Sequence, residues 1–182
     1  HTRCSVVSWG SEMCIRDSFQ AAISKAGLKG VMPCYSLIDG EPVHASKKLL
    51  TGLLREEMGF TGVTVSDYGG VAHTHEDQHV EETMEEAALR CMEAGMDVEL
   101  PSEHGYSDGL EHLFAAGKAD MAILDQAVLR VLTAKFRTGL FDHPFALEGE
   151  ELDSSFFDDG DRELALRSAR ESLVLLKNDG TL

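Results

Sequence analysis

The sequence predicts an α/β chain, a parallel sheet with helices on its outer face. Three observations point there. Short apolar or β-branched runs at residues 30–35, 62–66 and 96–100 alternate with longer segments of helical period, and such alternation gives parallel strands joined by helical crossovers. A glycine follows each of four helical segments, at Gly27, Gly59, Gly95 and Gly139, where a left-handed residue closes a helix. Acidic residues crowd the start of the segment from Glu81, where the helix dipole favours negative charge.

Taken in order, residues 19–26 form the end of a helix stopped by Gly27. Residues 30–35 form a strand, with Pro33 placed near its C-terminal end because proline cannot donate to a ladder. Residues 37–44 hold Asp39-Gly40 and Pro42 and mark a loop. Ser46 is a candidate N-cap, after which Leu49, Leu50, Leu53, Leu54 and Met58 recur at helical spacing. Residues 62–66 are a second strand. Residues 72–80 are polar and His-rich and are expected as a loop. Residues 81–94 are a helix with Met84, Ala87, Ala88, Cys91 and Met92 on one face. Residues 96–100 are a third strand ended by Pro101, and residues 106–116 and 125–138 are further helices.

Composition then shifts. Residues 142–161 carry Pro144 and dense Asp and Glu, an acidic linker without a core of its own. Residues 162–172 follow as a helix, Leu173-Val174-Leu175-Leu176 as a buried strand, and Asn178-Asp179-Gly180 as a turn. The division expected is residues 19–143 as one domain, 144–160 as linker and 161–182 as the start of a second, truncated domain.

Residues 1–18 fit none of this. They show neither helical period nor strand alternation, and lack the apolar stretch of a signal peptide. Met13 to Ser18 back-translates as ATG TGT ATA AGA GAC AGN, which resembles a transposase end sequence used in sequencing libraries; Gly10-Ser11-Glu12 fits the adapter bases before it. The segment is expected to be an unstructured artefact. Its Arg3, Arg16, Glu12 and Asp17 cancel, so the net charge of −16 belongs to the rest of the chain. Such an acidic balance argues against a nucleic-acid partner, because it repels phosphate. No apolar run is long enough for a membrane-spanning helix. Cys34 and Cys91 have apolar neighbours and no metal-ligand spacing, and are expected as buried thiols.

In parallel α/β folds the residue just after a strand faces the functional side. Asp67 stands there, followed by Tyr68, Gly69 and Gly70. A carboxylate so placed serves as nucleophile, general base or metal ligand; a helix cap or an Asx-turn is the structural alternative. Tyr35 ends the first strand and either faces the same mouth or packs in the core. His73, His75 and His79, with Glu76 and Asp77, contain the residue types of a zinc or iron site, though their spacing matches no strong motif and a solvated loop accounts for them. Asp97 and Glu99 alternate with apolar residues on the third strand; if buried they need partners, in an ion pair or a substrate contact.

Several segments together resemble glycoside hydrolase family 3, the β-glucosidase and β-xylosidase group. Gly59-Phe60-Thr61-Gly62-Val63-Thr64-Val65-Ser66-Asp67-Tyr68 is similar to the family's nucleophile signature. Val31 to Ser36 with Asp39-Gly40, Leu49-Leu50-Thr51 with Leu54-Arg55, and Ala94 to Pro101 match its neighbouring strands and helix. Leu129 to Leu132, Lys135-Phe136 and Gly139 to Asp142 match the end of its barrel. Ala169 to Ser172 and Leu175 to Asn178 match the start of its second domain. The resemblance implies the last strands and helices of a (β/α)8 TIM-like barrel, followed by the beginning of an α/β sandwich domain. It implies a retaining exo-acting β-glycosidase with Asp67 as nucleophile, and Tyr35 and Tyr68 as substrate-binding residues, Tyr68 in a place often held by Trp. The substrate implied is a small β-glucoside or oligosaccharide, with no cofactor. Ser66-Asp67-Tyr68 and Val98 to Pro101 look more like bacterial β-glucosidases than β-xylosidases. A barrel of this kind takes about 250 residues, so the remaining half-barrel and the second domain, which would bring the acid/base, are expected to be required in cis. This chain alone is expected to be inactive.

Overall fold

The computed structural model describes residues 8–101, 105–156 and 158–180. The chain divides into two compact units, His1–Thr138 and Gly139–Leu182.

The first unit opens with helix α1, Ser8–Ala26. This corrects the expectation for the front of the chain: residues 8–18 are helical and continuous with the expected helix, and residues 1–7 lie outside the described residues. Once a helix is nucleated, extending it by a residue is cheap, and α1 is anchored at its far end. There Ile23 packs on the cluster of Leu54, Met58 and Phe60, and the Gln20 amide donates to the Met58 carbonyl at 3.2 Å. Arg16 pairs with Glu57. Gly27, at φ 63°, closes the helix.

Strand β1 (Gly30–Val31), the hairpin strands β2 (Leu37–Ile38) and β3 (Glu41–Pro42), and β4 (Val63–Thr64) follow in order. β1 pairs in parallel with β4, and Val65 forms a parallel bridge to Val98. The three predicted strands therefore lie side by side as parallel neighbours, but each ladder is shorter than the apolar run that carries it. Side chains intercept the ladder. The Asp97 carboxylate takes the Thr64 N–H at 2.9 Å, and the Ser66 hydroxyl takes the Leu100 N–H at 2.8 Å. Pro33 has no N–H to give. Residues 37–42, expected as loop, form the β2–β3 hairpin, turned by Asp39 and Gly40 at φ 54° and 82°, the left-handed pair of a tight hairpin.

After a 3-10 turn at Val43–Ala45, residues Lys48–Glu57 form a π-type helix, a widened ladder in which the Met58 N–H reaches back to the Leu53 carbonyl at 3.0 Å. Ser46, the expected cap, takes the Leu49 N–H at 3.4 Å and donates to Glu41 at 2.6 Å. The two glycines of the GF-x-G run do different work. Gly59 turns the chain at φ 74°. Gly62 passes against β1 so closely that a Cβ there would stand 2.2 Å from the Lys29 carbonyl oxygen. Gly62→Ala in the full-length protein is expected to destabilise by about 1–3 kcal/mol or more, the usual cost of overpacking, read as a lowered denaturant midpoint.

Helix α2, Gly70–Glu76, takes up residues 72–76 of the loop expected over residues 72–80, and residues 77–80 are turn and irregular chain. Val71, Ala72 and Thr74 of this helix are buried, and His73 and His75 are half-buried. Helix α3, Met84–Ala94, starts at Thr83, whose hydroxyl accepts the Glu86 N–H at 3.2 Å and donates to its carboxylate at 3.0 Å, a reciprocal cap. It starts three residues later than the acidic run. Helices α4 (Asp108–Ala115) and α5 (Met121–Arg137) complete the unit. The core gathers Leu50, Val71, Ala88, Cys91, Met96 and Leu110. Burial pushes the Cys91 thiol up to about 12. Cys34, expected to be buried as well, is exposed, because the ladder ends before it.

The second unit holds helices α6 (Gly149–Ser155) and α7 (Asp159–Glu171). The expected acidic linker thus contains a helix, with Glu150 and Glu151 in its first turn. Asp158 caps α7 through the Asp161 N–H at 2.8 Å. Leu173 to Leu176 is not a strand and is exposed; a β-run needs a neighbouring strand to satisfy its backbone, and none of the described residues supplies one. Asn178 turns the chain by accepting the Gly180 N–H at 2.9 Å. Among the described residues no helix is long and apolar enough to cross a membrane.

Candidate active site

The predicted residues converge where the parallel strands end. Asp67 follows the β4 run directly and starts a tight turn: its carbonyl accepts the Gly70 N–H at 2.8 Å, and Gly69 donates to the Leu100 carbonyl at 2.6 Å. Its carboxylate Oδ1 accepts the Tyr68 N–H at 2.7 Å, which fixes the orientation of the group. Tyr35, four residues beyond β1, donates its hydroxyl to the Tyr68 carbonyl at 2.5 Å. Partial withdrawal from water and the neighbouring Asp67 carboxylate together raise the Tyr35 pKa. The phenol therefore stays protonated and donates. Tyr68 projects its ring into solvent, 77% exposed, as a platform at the rim.

His44, which sequence reasoning did not single out, lies beneath this group and is 1% exposed. Its Nε2 accepts the Asp67 backbone N–H at 3.2 Å. Its ring stacks on Tyr35, with centroids 5.9 Å apart and 27° between the planes. Burial lowers its pKa, opposed by the charge of Asp67; His73 lowers it further and the Cys34 carbonyl raises it. The imidazole is neutral, as an acceptor at Nε2 must be. No signal in the chain marks His44, because its contact to Asp67 spans 23 residues.

The three histidines of the polar run diverge. His73 packs edge-on against Tyr35 at 5.3 Å and bonds Asp77 at 2.5 Å. His75 Nδ1 meets the Glu81 carbonyl at 3.2 Å, and His79 Nδ1 the His75 carbonyl at 3.1 Å. Among the described residues no three His, Cys, Asp or Glu side chains come together as a metal cage. The Glu-rich run beyond them caps α3 through Glu86 and pairs Glu81 with Arg90 at 2.7 Å.

Asp97 and Glu99 are both buried. Asp97 accepts from Arg55 at 2.7 Å, Arg130 at 2.8 Å, and the Thr64 N–H and hydroxyl at 2.9 Å each. Glu99 accepts the N–H groups of Gly105 and Tyr106, at 3.1 and 2.7 Å. Asp97 thus forms the expected ion pair, whereas Glu99 binds backbone N–H groups.

The model of the glycosyl hydrolase family 3 N-terminal domain matches residues 15–134. A β-xylosidase of Formosa agariphila is 36% identical over 90% of this chain and 23% of its own length. A periplasmic β-glucosidase of Salmonella typhimurium is 36% identical over 84% of this chain and 20% of its own. Among solved structures, a β-glucosidase of Erythrobacter marinus superposes with a TM-score of 0.80 at 39% identity, covering 89% of this chain and 21% of that one. A β-glucosidase of Listeria innocua, also solved with glucose, gives 0.76 at 37% identity, covering 91% and 22%. The chain thus spans about a fifth of the length of these relatives. With a strand-end Asp in the expected motif, and a family match over most of its length, the chain belongs to glycosyl hydrolase family 3.

Proposed function

We propose that the full-length protein is a retaining exo-acting β-glycosidase, acting on terminal β-glucosides with Asp67 as its nucleophile. The observation that carries the reading is the placement of the Asp67 carboxylate just past β4, oriented by the Tyr68 N–H and next to a protonated Tyr35. The three parallel strands are read as part of a (β/α)8 barrel, whose catalytic groups stand at the C-terminal ends of its strands. The second unit is read as the entry to an α/β sandwich domain.

In the first step an Asp67 oxygen attacks the anomeric carbon, the bond to the leaving oxygen breaks, and a carboxylic acid from outside these residues protonates that oxygen. In the second step the same carboxylate takes a proton from water, which attacks the anomeric carbon and releases Asp67. Two such carboxyl groups stand about 5–5.5 Å apart in retaining enzymes. Tyr35, whose hydroxyl donates to the Tyr68 carbonyl, restrains the turn that carries the Asp67 carboxylate between steps. Tyr68 offers its exposed ring as an apolar wall for a sugar.

Relatives include proteins named as β-glucosidases and as β-xylosidases, so the sugar is tested together with the stereochemistry. Proton NMR of a fresh hydrolysate is expected to show the β-anomer first, and kcat/KM for an aryl β-glucoside is expected to exceed that for the β-xyloside. First release of the α-anomer would overturn the retaining reading. A preference for xyloside would overturn the choice of sugar.

A further inference from the structure

We propose that His44 is a positioning residue for the nucleophile, holding Asp67 by its backbone N–H and Tyr35 by its ring. The inference rests on the reading of Asp67 as nucleophile and adds a group that does not itself meet the sugar.

Four observations carry it. The Asp67 N–H lies past the end of the β4 ladder, and its acceptor is the His44 Nε2 at 3.2 Å. The imidazole is almost wholly buried, so this acceptor stands where water does not compete for the N–H. The same ring supports Tyr35 by stacking, and Tyr35 hydrogen-bonds onward to the Tyr68 carbonyl. One side chain therefore touches both the residue that bears the carboxylate and the tyrosine beside it. Finally, the space for the ring is made by a missing Cβ: one built on Gly70 would stand 2.2 Å from Nε2 and 2.8 Å from Cδ2 of His44. The glycine after Asp67-Tyr68-Gly69 is thereby accounted for by the imidazole beneath it.

The acceptor requires one tautomer, with the proton on Nδ1. An apolar ring of similar size keeps the stacking and removes the acceptor. A glutamine places an amide oxygen near the position of Nε2. Misplacing a reacting group by a fraction of an ångström to an ångström costs rate far more than binding.

The test compares His44→Phe, His44→Gln and Gly70→Ala with the unaltered full-length enzyme. A 2-fluoroglucoside inactivator titrates the folded sites, so kcat is expressed per labelled site and misfolded protein drops out. His44→Phe is expected to lose roughly 10–100-fold in kcat per site with KM changed by less than about threefold, and His44→Gln to recover most of that loss. Gly70→Ala, which drives the ring off the N–H, is expected to show the same split, and it carries the test if His44→Phe yields no titratable protein. A kcat per site equal to the unaltered enzyme in His44→Phe, or in Gly70→Ala, would overturn the inference while leaving the nucleophile reading intact. A label that maps away from Asp67 in the unaltered enzyme would overturn the nucleophile reading itself.

Discussion

Asp67→Asn in the full-length enzyme is expected to lower kcat by roughly 10⁴–10⁶-fold, the range seen when a nucleophile or its partner is removed. The fold is expected to survive. An asparagine Oδ1 still accepts the Tyr68 N–H that now orients the carboxylate. The backbone N–H to His44 and the carbonyl to Gly70 are untouched by the change. What is lost is the negative oxygen that forms the ester in the mechanism proposed above. Steady-state rates on an aryl β-glucoside, with a thermal melt to confirm the fold, check both halves. A variant that retains turnover within tenfold would remove Asp67 from the chemistry.

The second large effect falls on stability. Asp97 has no exposed side-chain surface and accepts from two guanidinium groups; the Arg55 side chain is 9% exposed. Asp97→Ala leaves Arg55 buried without its counter-charge, and breaking such a pair costs about 3–5 kcal/mol. Burial already lowers the Arg55 pKa, and the charge of Asp97 opposes that shift. The Thr64 N–H, which bonds Asp97 in the β4 strand itself, also loses its acceptor. The loss is expected as a lower denaturant midpoint, with kcat per labelled site preserved under conditions where the protein remains folded. A fall in kcat per site instead would give Asp97 a catalytic part that its enclosed geometry does not support.

The order of strands and helices was legible in the chain because glycines stop the helices and the apolar runs between them are short and β-branched. The lengths were not. Thr64, Ser66 and Asp97 use their side chains to take over bonds that a plain ladder would make, and residue type alone does not show that. Helix α2 was hidden because only a few of its residues face the core and the rest are polar. The start of α1 was hidden because it has no apolar period of its own. Leu173 to Leu176 carries a strong strand pattern, but pattern cannot supply the partner strand it needs.

The site divides in the same way. The convergence of Tyr35, Asp67 and Tyr68 was legible because each stands at or just after an apolar run, at the ends of neighbouring parallel strands. Asp97 and Glu99 were legible as groups in need of partners, although not which partners. His44 was not legible, since a lone histidine after a hairpin has no local mark. Its role follows from a contact between distant segments, and from the Cβ that Gly70 lacks.

The most direct measurement is covalent. The full-length enzyme is inactivated with a 2-fluoroglucoside, digested and mapped by mass spectrometry. The label is expected as an ester on the peptide that contains Asp67, with fragment ions placing it on that residue. A label on any other carboxylate, or time-dependent inactivation with no covalent adduct, would contradict Asp67 as the nucleophile.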